Sequence, residues 1–260
     1  MTRILTTAEK ERFASLCALH SAYEIKADAT DGIGTFNEKR LHRIIKEFVC
    51  ADQSCFEVKL GGSVADVFCD GVITEIQTGS FFPLKKKVNS YLSLTDNVVK
   101  IIHPIIAKKK IVRVDPLTGE VLRTKASPKK ETPSKILPEL VYLCDHLRSC
   151  RLVFEVYSVT AEEHRYSDEV HRYRKSGRHD SELFPTGIES ITSFECTEDF
   201  LALIPRELAE SHTSFTAAEF IKKSGLKGRR AYNSLTALCA AGVLAKEKAS
   251  SKAAVYKICC

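Results

Sequence analysis

Asp66, Glu75 and Gln77 stand in a largely apolar, β-branched stretch of the chain. It reads Val64-Ala65-Asp66-Val67-Phe68-Cys69-Asp70-Gly71-Val72-Ile73-Thr74-Glu75-Ile76-Gln77, and Asp-Gly between two such runs is a strong hairpin signal. A two-residue turn at Asp70-Gly71 pairs Cys69 with Val72, Phe68 with Ile73 and Val67 with Thr74, and so sets Asp66 opposite Glu75. The period of two places Gln77 on the same face. Two like charges about 5 Å apart repel by roughly 3–4 kcal/mol at an effective dielectric of about 20. A bound divalent cation removes that conflict, and carboxylate oxygens are the donors that hard cations take.

Periodicity indicates the elements that must hold these residues. A helix is expected from Ala8 to Tyr23, then a breaking loop at Asp31-Gly32-Ile33-Gly34, then a helix capped by Asn37 with Leu41, Ile44, Ile45 and Phe48 inward. Glu38 falls at the start of that second helix. A strand over Cys55–Leu60, with Glu57 and Lys59 on its wet face, leads through Gly61-Gly62 into the hairpin. Pro83 then opens a helix with Leu84, Val88, Tyr91 and Leu92 on one side and Lys85, Lys86 and Lys87 at its start. Strands are expected over Asn97–Pro104, Lys110–Asp115, Leu152–Val159 and Ile191–Phe194. The polar, proline-containing Arg123–Lys135 reads as a loop, Leu137–Leu147 as a helix, and Glu162–Ser181 as a very polar connection. Strands alternating with helices indicate an α/β core.

The last fifth of the chain differs. Thr216-Ala217-Ala218-Glu219 is a capping box, Ser224-Gly225-Leu226 a turn, Gly228–Ala241 a second helix, and residues 243–258 a hairpin around Glu247–Lys252. Helix, turn, helix, hairpin is the order of a winged helix. From Arg206 onward ten basic residues face four acidic ones, a surplus equal to the net charge of +6 of all 260 residues. Such a bias suits a polyanion. Lys227, Arg229 and Arg230 stand at the start of the recognition helix, and Lys246, Lys248 and Lys252 flank the wing.

With 44% hydrophobic and 28% charged residues the composition is that of a globular protein, and no apolar run reaches the ~20 residues of a membrane span. No membrane role is expected. The first ten residues lack a sustained apolar stretch, so no signal peptide is expected and the location reads as cytoplasmic. Ten cysteines lie scattered without a CxxC pair and read as buried free thiols rather than zinc ligands or disulfides. His42 and His103 read as packing or polar-edge histidines. His164, His171 and His179, among arginines, read as a solvated or nucleic-acid-facing segment rather than a metal site.

In order and type, Glu38, Asp66, Glu75 and Gln77, followed by lysines on the next helix, resemble the core of the PD-(D/E)XK, restriction-endonuclease-like nuclease superfamily. There an Asp and a (D/E)-x-K pair on adjacent strands hold Mg²⁺, and a Glu from the preceding helix completes the site. More narrowly, Asn37-Glu38-Lys39-Arg40-Leu41-His42, Glu75-Ile76-Gln77-Thr78-Gly79, His103-Pro104-Ile105 and Ser127-Pro128-Lys129-Lys130 are similar to a bacterial family with that nuclease core. The resemblance covers Asn37 to Leu140. It implies a mixed central sheet flanked by helices (residues 1–205) and a small winged helix (206–260).

It also implies metal-dependent hydrolysis of DNA phosphodiesters. Asp66, Glu75 and the carbonyl of Ile76 would hold Mg²⁺, or Mn²⁺, and Glu38 a second ion or an outer-shell water. Gln77 departs from the pattern, because an amide orients water but supplies no positive charge; Lys85, Lys86 or Lys87 would have to bring it. Restriction-like nucleases dimerise to cut both strands, so a homodimer is an expectation without a nameable interface. Two other readings stay open. One is a non-catalytic DNA-binding or regulatory protein with a degenerate nuclease core. The other, weaker, is an RNA-processing or defence enzyme in which Tyr166 and Tyr173, among Arg165, Arg172 and Arg174, stack on single strands.

Overall fold

A computed structural model describes residues 1–23, 33–94, 96–115, 117–166, 181–211, 213–248 and 254–259. The hairpin forms as its turn chemistry dictates. Asp70 and Gly71 both take positive φ, 50° and 75°, the mirror-image turn whose twist matches the flanking strands. Strands β3 (Ser63–Cys69) and β4 (Val72–Ile76) pair in the expected register, Cys69 with Val72, Phe68 with Ile73 and Val67 with Thr74. Helix α1 spans Thr7–Tyr23, and helix α2, Ile33–Val49, starts a turn before the expected cap at Asn37. Helix α3 (Leu84–Leu94) carries β4 across to β5 (Val98–Val114), which runs parallel to it.

The sheet is mixed. With β1 (Thr2–Ile4), β2 (Phe56–Leu60), β7 (Leu152–Tyr166) and β8 (Ser181–Phe194), its order is β1-β8-β7-β5-β4-β3-β2. Strand β6 (Val121–Ala126) pairs the far half of β5. Alternation along β5 sends Val99, Ile101 and Ile105 to one face and Ile102 to the other. The second face buries Phe13, Leu41, Ile44, Ile45 and Phe48 of α1 and α2. The first buries Val88 and Tyr91 of α3. The architecture is a mixed α/β sheet flanked by helices.

Several elements differ from expectation. Asn97–Pro104 and Lys110–Asp115 belong to one strand, β5, despite Pro104. The Ile102 carbonyl accepts from Gln77 N at 2.9 Å, so by the pleat the Pro104 nitrogen faces the same edge, past the end of β4, where no donor is needed. Strands β7 and β8 run far into the polar region because charges pair there: Lys110 with Glu162 at 3.6 Å, Lys108 with Glu189 at 2.5 Å, and Lys109 with Glu163. Leu137–Leu147 forms the 3₁₀ segment Leu140–His146, after a shorter one at Pro133–Ile136, rather than an α-helix. Leu137, Leu140 and Leu143 are buried at intervals of three, the period that a 3₁₀ turn stacks on one side. The first four residues of the expected loop Arg123–Lys135 belong to the exposed strand β6.

The C-terminal elements are α4 (Arg206–Ser211), β9 (Ser214–Thr216), α5 (Ala217–Ser224), α6 (Arg229–Ala240), β10 (Leu244–Lys248) and β11 (Ala254–Ile258). Their three strands pair in the order β10-β11-β9. The capping box at Thr216 closes with Glu219, and Gly225 ends α5 at φ 68°. Phe215, Phe220, Leu235, Leu238 and Tyr256 share one apolar core with Leu140, Leu143 and Leu147 of the turns beneath the sheet. Among the described residues no helix is long and apolar enough to cross a membrane.

Gly71→Ala tests the hairpin geometry. A Cβ there meets only Asn97 Oδ1 at 3.6 Å, so the cost is backbone strain of about 1 kcal/mol. A lower urea midpoint is expected; an unchanged one contradicts the turn.

Candidate metal-binding cleft at the end of β4

A cleft of about 260 Å³ opens where β4 ends, lined by His42, Asp66, Glu75, Ile76, Gln77, Thr78, Pro83, Leu84 and Lys87. Strand β3 brings Asp66, β4 brings Glu75, α3 brings Lys87 and α2 brings His42, so helices from both faces of the sheet meet at the end of β4. The recorded β3–β4 ladder stops at Val67 and Thr74. Beyond it the Asp66 side chain replaces the strand: Oδ2 accepts from Ile76 N at 2.7 Å and contacts His42 Nε2 at 3.1 Å. The Ile76 N–H thus points toward β3, and by the pleat its carbonyl points the same way.

Glu75 is buried at 2% exposure, and three hydrogen bonds hold its carboxylate. Lys87 Nζ donates to Oε1 at 3.1 Å and Oε2 at 2.8 Å, and Tyr91 Oη donates to Oε1 at 3.0 Å. Lys87 also donates to Val64 O at 2.8 Å. Lys87 and Tyr91 are four residues apart on α3 and meet one partner together. Lys87 therefore supplies opposite charge beside Glu75 and His42 a polar partner for Asp66, so the two acids have partners within the protein without a cation.

The two carboxyls are shifted in opposite senses. Burial pushes Asp66 up, but the hydrogen bond and charge of His42, the Ile76 N–H and the charge of Lys87 outweigh it, and the group lies below its ordinary 3.8. Burial pushes Glu75 above its ordinary 4.5, the Asp66 charge adds to that, and Lys87 and Tyr91 offset only part. Asp66 thus contributes stability present above pH 3.8 and lost as pH falls through its lower folded value. Glu75 runs the other way: its raised value favours the fold in acid, and that contribution is lost as pH rises through it.

The expected site residues are distributed as follows. Asp66, Glu75, Ile76, Gln77 and Lys87 converge on the cleft. Lys85 and Lys86 are exposed on the outer side of α3. Glu38 lies within α2, its side chain outside the described residues. Gln77 lines the cleft, but its amide donates to Ser80 O at 2.8 Å and so braces the turn after β4. His103 bears out its packing role: Nδ1 donates to Gln77 O at 2.6 Å, and burial lowers its pKa. His42 is the polar-edge case, partly exposed with Nε2 3.1 Å from Asp66 Oδ2. Its spacing of four from Glu38, one turn along the same helix face, was the available signal. Buried Arg40 anchors α2, donating from Nη1 to Leu183 O at 3.0 Å beneath the Phe184 ring.

At the C-terminal end, Lys227, Arg229 and Arg230 are exposed, the two arginines opening α6, with Tyr232 on the same helix 55% exposed. A larger groove of about 470 Å³ between residues 130–137 and the C-terminal helices has Lys130, Lys135, Lys223 and Arg230 in its lining, with Glu131 and Glu207. Lys252 and the side chain of Lys248, and His171, Arg172, Tyr173, Arg174 and His179, lie outside the described residues. His164 instead packs on Phe184, with ring centroids 4.7 Å apart.

Fold and cleft define a mixed α/β protein with an acidic, lysine-bridged pocket at the end of a parallel strand. The chain belongs to the family described as a domain of unknown function (DUF8091), whose model matches residues 39–195 and so takes in most of α2, the cleft and β8. An uncharacterized protein of Treponema pallidum (strain Nichols) is 29% identical over 143 residues, 55% of this chain and 56% of that one. The chain thus spans little more than half the length of that relative. No solved structure matches.

Two substitutions test the pocket. Tyr91→Phe removes a donor to a buried carboxylate and should cost about 1–3 kcal/mol in urea unfolding at neutral pH. Asp66→Asn should destabilise at pH 7, with the gap from the parent narrowing as pH falls below 3.8. A gap independent of pH would show that Asp66 is not held as a carboxylate.

Proposed function

We propose that this protein is a metal-dependent nuclease that hydrolyses DNA phosphodiesters, with a PD-(D/E)XK-type, restriction-endonuclease-like core in residues 1–205 and a DNA-binding winged helix in residues 206–260. One observation carries the reading: Asp66, Glu75, the Ile76 backbone and Lys87 converge on one open cleft. The donor set suits Mg²⁺ or Mn²⁺, because two carboxylates and a carbonyl are hard oxygen ligands. When bound, such an ion polarises a phosphoryl oxygen and lowers the pKa of water.

The chain's own groups do the rest. His42 and the Ile76 N–H fix one oxygen of Asp66, Oδ2, and its other oxygen would serve the ion. Lys87, drawn from Glu75 to a phosphate, supplies the positive charge that Gln77 lacks. Gln77 keeps the turn after β4 in place through Ser80. Arg229, Arg230 and Lys227 meet the DNA backbone at the start of α6.

A second reading has its own support. Both oxygens of Glu75 are engaged by Lys87 and Tyr91, which suits a DNA-binding protein whose core has exchanged its metal for an ammonium group.

Cleavage assays separate the two. Purified protein is incubated with duplex, single-stranded and branched DNA, and with RNA, in Mg²⁺ or Mn²⁺. Cutting is expected, abolished in Asp66→Ala and Glu75→Ala and slowed about 100-fold in Lys87→Ala. Equal cutting by the variants, or none by the parent, removes the nuclease reading. Replacing Arg229 and Arg230 by Ala should lower the slope of log affinity against log salt by about 2; unchanged DNA binding would exclude α6 as the contact.

A further inference from the structure

Three cysteines distant in sequence converge beside the hairpin. Cys50 directly follows α2, Cys55 ends the short 3₁₀ turn Gln53–Cys55, and Cys69 is the last residue of β3 before the Asp70-Gly71 turn. Their sulfurs all lie within 4.8 Å of one another, and among the described residues this is the one such trio of potential ligand side chains. Cys50 is buried, and Cys55 and Cys69 are partly buried. Cys50 donates to Asp52 O at 3.5 Å and Cys69 to Asp70 Oδ2 at 3.5 Å.

We propose that Cys50, Cys55 and Cys69 bind a soft divalent cation, Zn²⁺, as a three-thiolate site whose fourth position is filled by water or, after rotation of its side chain, by the Asp70 carboxylate. Tetrahedral zinc with Zn–S of about 2.3 Å sets sulfurs about 3.8 Å apart. The trio needs to contract by at most about 1 Å to reach that spacing, within the range of small side-chain rotations. Thiolates select zinc over magnesium, so this site and the oxygen-lined cleft would not compete for one ion. Three sulfurs in mutual reach also suit an ion better than a disulfide, which leaves one thiol over. Thiolate ligation displaces the thiol protons, so binding would release protons. The ion would tie the C-terminal end of α2 to the tip of the β3–β4 hairpin, the two elements that carry His42 and Asp66. The proposal is independent of the nuclease reading.

The full chain, prepared under reductant without oxygen, is stripped with a chelator, refilled with Zn²⁺ and passed through gel filtration. One tightly held zinc per chain is expected by elemental analysis. Co²⁺ in its place should show thiolate charge-transfer absorption and the visible bands of a tetrahedral ion. Zn²⁺ should shield Cys50, Cys55 and Cys69 from alkylation while exposed Cys150 and Cys196 stay reactive, a readout that needs no substitution. Cys50→Ser, Cys55→Ser and Cys69→Ser, checked for folding by circular dichroism, should each lose the bound equivalent. Alkylation of the trio that Zn²⁺ does not change, or zinc retained when all three are replaced, overturns the proposal.

Discussion

A carboxylate buried at the end of a strand must find partners inside the protein, and the search of Glu75 for them organises the surrounding structure. Isolated in a low-dielectric interior, the charge would cost several kcal/mol. Lys87 and Tyr91 meet that demand only because α3 crosses from β4 to β5 with one side turned to the sheet. The same crossover makes β4 and β5 parallel, and the parallel pair ends in the open cleft. On the other face α2, held by Arg40 against β8, brings His42 to Asp66. Each helix thus has its place in the core and a duty toward one of two acids.

Local chemistry made part of this legible in the sequence. Asp70-Gly71 specifies its turn, and the turn specifies register, so the hairpin and the meeting of Asp66 with β4 follow from fourteen residues. Capping signals located α5 and α6 for the same reason. The long strands were harder, because period-two hydrophobicity fades where Lys108, Lys109 and Lys110 pair with acids of β7 and β8. There the alternation is carried by charge. Pro104 suggested a break that the geometry avoids by turning its nitrogen to an unpaired edge.

Side-chain partners drawn from separate elements were the least legible. His42 read as a packing or polar-edge residue without a nameable partner, because that partner lies 24 residues away on another element. Lys87 could not be told from Lys85 and Lys86 until helix phase chose between them, since only a residue one turn before Tyr91 shares its direction. The three cysteines were invisible as a group for a similar reason. Their convergence depends on where α2 ends relative to the hairpin tip, a tertiary distance rather than a spacing.

The apolar core that Phe215, Leu235 and Leu238 share with Leu140 and Leu143 has a mechanical meaning. A module joined by a tether samples many positions relative to its neighbour, whereas one that completes its neighbour's core keeps a single separation. Helix α6 and the cleft at β4 therefore behave as two fixed points on one body, a ruler rather than a leash. Whatever polymer engages both would be registered at a constant offset along its length.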